Sequence, residues 1–233
     1  QIYCTLLLDT AHSHPDEKVR AESEDLVALL TPIVKAFVTD NGHIATNACM
    51  QVFGGHGFIK EWGMEQFVRD NRINMIYEGT NTIQSLDLLG RKVLGNQGAT
   101  LKKFGKLVGQ LVAEEGVNEK MAEFINPIAI LGEQMTKFTT EIGFKGMQNP
   151  DEVGAAAVDY LRVAGHLVFG YLFARMAQVS LRAIANGSTD PFYTAKLQTA
   201  RFYFAKLFPE TVLLMRTARA GSKVLMDTDA ALA

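Results

Sequence analysis

The sequence predicts an all-α protein built as two packed helical bundles that meet near residue 95. Three observations carry this expectation. Apolar residues recur at three-and-four spacing along almost every segment, the period of a helix that buries one face. Alternating apolar and polar residues are scarce, and no hairpin dipeptide separates two β-rich runs. Midway, Leu94-Gly95-Asn96-Gln97-Gly98 breaks the pattern with the residues of a linker. The expected bundles are therefore residues 1–95 and 96–233.

In order along the chain, Glu24 to Asp40 carries Leu26, Leu29, Leu30, Ile33, Val34, Phe37 and Val38 on one face. Pro32 lies inside this run, where it either kinks a continuous helix or opens a fresh one. Ile44 to Phe53 continues as a helix of small residues and stops at Gly54-Gly55. Further helices are expected over Gly63 to Met75 and about Asn81 to Val93. Beyond the linker, Leu101, Phe104, Leu107, Val108 and Leu111 form one face. Met121, Phe124, Ile128, Leu131, Met135, Phe138 and Ile142 form the next. Gln148-Asn149-Pro150-Asp151 reads as a turn, and a long helix from about Val153 ends at Asn186-Gly187. Asp190 caps another helix with Pro191 in its first turn, and Pro209 interrupts it.

Composition narrows the function classes. With 233 residues, 48% hydrophobic and 21% charged, the chain has ample material for a buried core. Disordered, collagenous and mucin-like classes are excluded. Basic and acidic residues number 23 and 25, a net charge of -2, which argues against a basic nucleic-acid surface. Two cysteines, Cys4 and Cys49, are too few for a disulfide scaffold and fit a reducing compartment, so a cytoplasmic location is expected. The most apolar stretch, Val163 to Ala174, contains His166 and is closed by Arg162 and Arg175. It falls short of the roughly 20 residues a membrane span needs, so a buried helix is expected.

The segment Gln51 to Gln84 stands apart, since glycine loops interrupt its helical period and it holds the single tryptophan, Trp62. Gly54 to Gly57 and Gly79 lie on either side of one short helix, and each exposes bare backbone at a helix end, where anionic groups can be held. Alone, Gly54-Gly55-His56-Gly57 is a weak signal, equally a helix stop followed by a turn. Glu78 follows Ile76-Tyr77 and precedes Gly79-Thr80. Partial desolvation there would raise its proton affinity and the following helix start would lower it, opposed effects that suit a general base. On spacing alone, a helix-start glutamate that favours the dipole is the stronger reading.

Two motifs shift that balance. Ile76-Tyr77-Glu78-Gly79-Thr80-Asn81-Thr82-Ile83-Gln84 follows Arg69-Asp70 and Gln51-Val52-Phe53-Gly54-Gly55-His56-Gly57-Phe58 in one order and spacing. Together they resemble the C-terminal helical domain of the acyl-CoA dehydrogenases, closely over residues 25 to 94. Beyond the linker, the chain resembles in general character the helical extension of the larger bacterial members, the group that includes the methylthiopropanoyl-CoA dehydrogenases.

The resemblance implies a chemistry. Glu78 is the base that removes the α-proton of an acyl-CoA thioester while the β-hydrogen leaves as hydride to FAD, yielding the enoyl-CoA. The thioester oxygen must be polarised as charge develops; in the family its donors are the backbone N–H of the catalytic glutamate and a flavin ribityl hydroxyl. Gly79 allows close approach of the substrate. Thr80, Asn81 and Thr82 fall where the family contacts FAD. Gln51, Val52, Phe53, Gly54 and Gly55 correspond to the stretch that meets the ADP half of FAD, usually that of a neighbouring subunit in a homo-oligomer. Electrons pass to an electron-transferring flavoprotein. His56 stands where the family's glycine loop often has Asn, leaving its role open. Gly90 stands where a basic residue is common about twelve positions after the base, so no CoA-contacting arginine is assigned. The family's N-terminal helical and middle β-domains have no counterpart before Gln1. Together with the missing Met, this reads as a C-terminal fragment that does not hold FAD by itself.

Other residues read as scaffold. His12 and His14 lack a completing Cys or carboxylate cluster, so a solvated loop is expected and no metal. His166 lies on the stripe Asp159, Arg162, His166, satisfied or facing solvent. Lys102, Lys103 and Lys106 suggest a solvated face, Cys49 a buried inert thiol, and Phe169, Phe173, Met176 and Val179 a core stripe. No G-x-S-x-G context supports a hydrolase. Because residues 99 to 233 carry no recognisable chemistry, a non-catalytic helical dimerisation or interaction module is the second functional expectation.

Overall fold

The computed structural model describes residues 1–227, and among them every regular element is helical. The chain divides into two compact units, Gln1–Gly95 and Asn96–Ala233.

In the first unit, α1 (Ile2–Ser13) packs against α2 (Glu17–Val52), a 36-residue helix that serves as the spine. Asp16 caps α2, its carboxylate accepting the Lys18 N–H at 2.8 Å. Pro32 removes the N–H that the Ala28 carbonyl would accept, yet α2 is continuous through it with Pro32 buried. Short α3 (Gly55–Phe58), α4 (Met64–Ile73) and α5 (Asn81–Leu86) follow, and α5 widens into a π-helical segment, Asp87–Val93. Burial is lopsided. Leu29, Leu30, Ile33, Ala36 and Phe37 of α2 close with Leu88, Leu89 and Val93 into a core whose members are at most 3% exposed. Between Asn41 and Leu86, by contrast, just Gly57 and Ser85 are buried. Large apolar side chains stand in solvent there, among them Val52 (85% exposed), Phe58, Trp62 and Phe67.

The second unit is built around α8 (Asp151–Ala185), against which α7 (Ala122–Gln148), α9 (Pro191–Phe202) and α10 (Glu210–Ala218) pack. α6 (Ala99–Glu115) packs on α7, and α11 (Lys223–Met226) ends the described chain. Asp190 caps α9 through the Phe192 N–H at 2.9 Å, and a π-helical turn, Tyr203–Leu207, precedes the break at Pro209. Among the described residues, α8 alone is long and apolar enough by length and composition to cross a membrane. The expectation of no such segment, drawn from Val163 to Ala174, was framed too narrowly. The apolarity of α8 matches its packing against three helices.

Several expected packing roles are corrected. Cys49 is exposed, because the last turns of α2 have no helix closed over that face. Val179 is 55% exposed, and Phe169, Phe173 and Met176 are half-buried at the margin of the core. His12 belongs to the last turn of α1 and not to a loop, its Nδ1 2.9 Å from the Leu8 carbonyl.

Candidate active site

The residues from Met75 to Asn81 form a tight reversal between α4 and α5. Ile76 and Tyr77 donate backbone hydrogen bonds to the Ile73 carbonyl at 2.9 and 3.2 Å, unwinding α4. Glu78 and Gly79 then adopt left-handed conformations in succession, φ +56° and +80°. Glycine does this freely. A glutamate does not, because its Cβ crowds the following carbonyl at a cost of about 1–2 kcal/mol. The surroundings hold it there. The Asn81 N–H closes the loop on the Met75 carbonyl at 3.1 Å, and Gln84 Nε2 donates to the Glu78 carbonyl at 3.2 Å. Thr80 caps α5, its hydroxyl accepting from the Ile83 N–H at 3.4 Å.

At the apex, the Glu78 side chain is exposed. Tyr77, 51% exposed, and Ile76, 47% exposed, do not fold over it, so this chain by itself does not supply the partial desolvation expected from those neighbours. Thr80 and Thr82 are exposed beside it.

Asn81 turns the other way. Its Oδ1 accepts from Lys35 Nζ at 2.8 Å, and its Nδ2 donates to Asp40 Oδ1 at 2.6 Å and Thr39 Oγ1 at 3.0 Å. Its carbonyl accepts from the Ser85 hydroxyl at 2.9 Å. The side chain expected beside a cofactor is thus engaged within the protein. Lys35, Thr39 and Asp40 were not singled out from sequence. Their one signal is a polar stripe at four- and five-residue spacing on an otherwise apolar helix.

The glycine loop forms where the spine ends, after Val52. Phe53 and Gly54 donate to the Met50 and Gln51 carbonyls, and Gly54, φ +59°, then turns the chain. A Cβ on Gly57 would stand 2.3 Å from the Met50 carbonyl oxygen, so that close return requires glycine. His56 packs edge-on against Trp62, ring centroids 5.2 Å apart. Gln51, Val52, Phe53, Gly54 and Gly55 are all exposed. A Cβ on Gly54 or Gly55 would meet nothing within 4 Å, so the bare backbone is open to an approaching group. From Asp40, where Asn81 is anchored, to Gln51 the helix rises about 16 Å. The two motifs therefore hang on one helix without merging into a single cluster. Arg91, next to Gly90, is paired with Asp87.

The polar clusters of the second unit are internally satisfied. His166, 2% exposed, presents Nε2 to Glu210 Oε2 at 2.9 Å and Nδ1 to the Tyr203 hydroxyl at 3.0 Å. A carboxylate accepts only, so Nε2 carries the proton; in neutral His166 Nδ1 is then an acceptor for the Tyr203 hydroxyl, which also lies 3.3 Å from the His166 carbonyl. Burial lowers the proton affinity of His166 more than Glu210 restores it. Burial pushes Glu210 up, but hydrogen bonds from Arg162 and His166 outweigh it and leave the carboxyl below its usual range. Buried Glu115 accepts from Gln178, Arg182 and Asn118 at 2.6 to 2.8 Å. Among the described residues no group of His, Cys, Asp and Glu could hold a metal ion.

Residues 5–94 match the family model described as acyl-CoA dehydrogenase, C-terminal domain, and residues 100–229 match acetyl-CoA dehydrogenase C-terminal like. The chain is 35% identical to a 3-methylmercaptopropionyl-CoA dehydrogenase of Ruegeria pomeroyi over 87% of its length, covering 34% of that protein. It is 28% identical to a butyryl-CoA dehydrogenase of Syntrophomonas wolfei over 94% of its length, covering 36% of the relative. A broad-specificity linear acyl-CoA dehydrogenase of Mycobacterium tuberculosis is 24% identical over 93% of the chain, which covers 36% of it. The chain belongs to the acyl-CoA dehydrogenase family, and it spans about a third of the length of these relatives.

Proposed function

We propose that this chain is the helical C-terminal part of a flavin-dependent acyl-CoA dehydrogenase and that Glu78 is its base, taking the α-proton of an acyl-CoA thioester. The observation that carries this reading is the left-handed backbone at Glu78. Strain held at an exposed, non-glycine residue by several surrounding hydrogen bonds is the kind of feature that functional sites retain. The left-handed turn of Glu78 and Gly79 sets the carboxylate and bare backbone side by side at the loop apex, as close approach of a thioester requires.

FAD, when bound, would accept the β-hydrogen as hydride. The residues present fit a flavin nucleotide: the Thr80 hydroxyl has its own proton to donate, Thr82 is exposed, Gly54 and Gly55 offer open backbone, and Gln51, Val52 and Phe53 before them are exposed. The apolar side chains left in solvent between Asn41 and Leu86 support a site completed by further protein, since monomer surfaces seldom expose apolar patches of that extent. Covering the apex would exclude water and supply the desolvation that tunes a carboxylate for proton abstraction. About 16 Å of α2 separates Asp40, where the Glu78 turn is anchored, from Gln51, and in a homo-oligomer each motif would serve a different FAD. A cytoplasmic location and an electron-transferring flavoprotein as acceptor complete the reading. For residues 96–233 an interaction role fits, because buried Glu115 and half-buried Glu210 are matched by neighbours and Val212 and Leu213 of α10 face solvent.

The test uses the full-length, FAD-loaded protein with butyryl-CoA and 3-methylmercaptopropionyl-CoA, the substrates in the relatives' names. Glu78→Gln should keep FAD and acyl-CoA affinity and lose at least about 100-fold in kcat, since a positioned base contributes on the order of 10²–10⁴. Retained turnover in that variant overturns the assignment.

A further inference from the structure

Asn81 has no polar atom to spare. Its backbone N–H and C=O are held by Met75 and Ser85, and its amide lies between Lys35, Thr39 and Asp40 of α2. The chemistry of these neighbours orients the amide uniquely: an ammonium can only donate, so it must face Oδ1, and a carboxylate can only accept, so it must face Nδ2. Asparagine is therefore the short side chain that bridges a cation and an anion at once. Aspartate would set a second carboxylate against Asp40, and a leucine would leave both charges without their bridge.

The anchored residue also closes the loop that carries Glu78. Its N–H reaches back to Met75, three residues before Glu78, while Asn81 itself lies three residues after it. Asn81 thus hydrogen-bonds the strained turn directly to the spine. We infer that Asn81, clamped by Lys35, Thr39 and Asp40, is the positioning residue that aims the Glu78 carboxylate, and that it does so without touching the cofactor. This rests on the reading of Glu78 as the base. Releasing the clamp lets Glu78 relax towards ordinary backbone geometry and swings its carboxylate off line, and a displacement of about 1 Å costs on the order of 100-fold in rate.

The experiment is a charge exchange in the full-length holoenzyme. Asn81→Asp should lower kcat by about 10- to 100-fold, with KM within about threefold and FAD content unchanged. Adding Asp40→Asn restores one carboxylate and one amide to the cluster in reversed positions, with Lys35 still paired, and should recover most of kcat. Amide hydrogen exchange at residues 76, 77 and 81, whose N–H groups are the hydrogen-bonded ones of the turn, should quicken at least about tenfold in Asn81→Asp and slow again in the double variant, as local opening rises and falls. Loss of FAD that the second substitution does not repair would make Asn81 a cofactor contact and overturn the inference. Unchanged kcat and exchange in Asn81→Asp would also overturn it. Glu78→Gln run in parallel separates the two ideas. Activity retained there defeats the base assignment, whereas exchange at 76, 77 and 81 still reports whether Asn81 anchors the turn.

Discussion

Substituting Gly79 by alanine perturbs the site with the smallest possible change. Gly79 has φ +80°, and a Cβ there would stand 2.9 Å from Gln84 Nε2. The first consequence is backbone strain of about 1–2 kcal/mol for a left-handed alanine. The second follows because the obstructing atom is the end of a flexible side chain. Gln84 can turn away, but in doing so it gives up its hydrogen bond to the Glu78 carbonyl, worth about 0.5 kcal/mol at an exposed site. Together they amount to about 2 kcal/mol acting against the conformation that presents Glu78, or roughly a 30-fold shift in the local equilibrium. The loop lies outside the buried core, so the loss should appear locally and not as global unfolding. In the full-length enzyme, Gly79→Ala should lower kcat by about 10- to 30-fold while the melting temperature moves little. Gln84→Ala alone should cost about twofold. An alanine variant with wild-type kcat, or one that loses activity only by unfolding, would refute the claim that the paired left-handed residues present the base.

Two further outcomes concern the second unit. The folded state holds His166 neutral because burial lowers its proton affinity, whereas the unfolded chain takes up a proton near pH 6.5. Its contribution is therefore fully present above that pH and is lost as pH falls below it, at up to about 1.4 kcal/mol per pH unit. Urea midpoints of wild type and His166→Gln measured from pH 7.5 to 5 should converge on acidification, and parallel curves would contradict this. Glu115→Ala should destabilise the second unit by about 2 kcal/mol, because it strands the buried Gln178 amide and removes the partner of Arg182. An unchanged urea midpoint would show that the cluster contributes nothing.

The helices were legible in the sequence because each of the core stripes has a partner stripe of matching period. Leu29, Leu30, Ile33 and Phe37 are an example. What escaped was set by partners distant in sequence. Of the two readings of His166, satisfied or facing solvent, the structure shows the satisfied one, through Tyr203 and Glu210, which lie 37 and 44 residues away. Asn81 is drawn inward by Lys35, 46 residues earlier, so its neighbours gave no local sign of a clamp. Cys49 looked buried from its small neighbours, but burial needs a second surface, and that turn of α2 has none in this chain. Continuity through Pro32 was also open, since a missing hydrogen bond is outweighed when the proline ring itself packs in the core. The widening of α5 after Leu86 left no periodic trace, because its apolar residues serve a π-turn as well as an α-turn. Glu78 was visible through its motif, while its left-handed backbone emerged with the fold.

The central claim is that Glu78 moves the α-proton, and proton exchange reads that step directly. Full-length enzyme loaded with FAD is mixed anaerobically with butyryl-CoA in D₂O, and deuterium at the α-carbon is followed by NMR. Wild type should incorporate α-deuterium at a rate commensurate with turnover. Glu78→Gln, retaining FAD and bound thioester, should incorporate at least about 100-fold more slowly. Incorporation by Glu78→Gln at the wild-type rate would show that another group takes the proton.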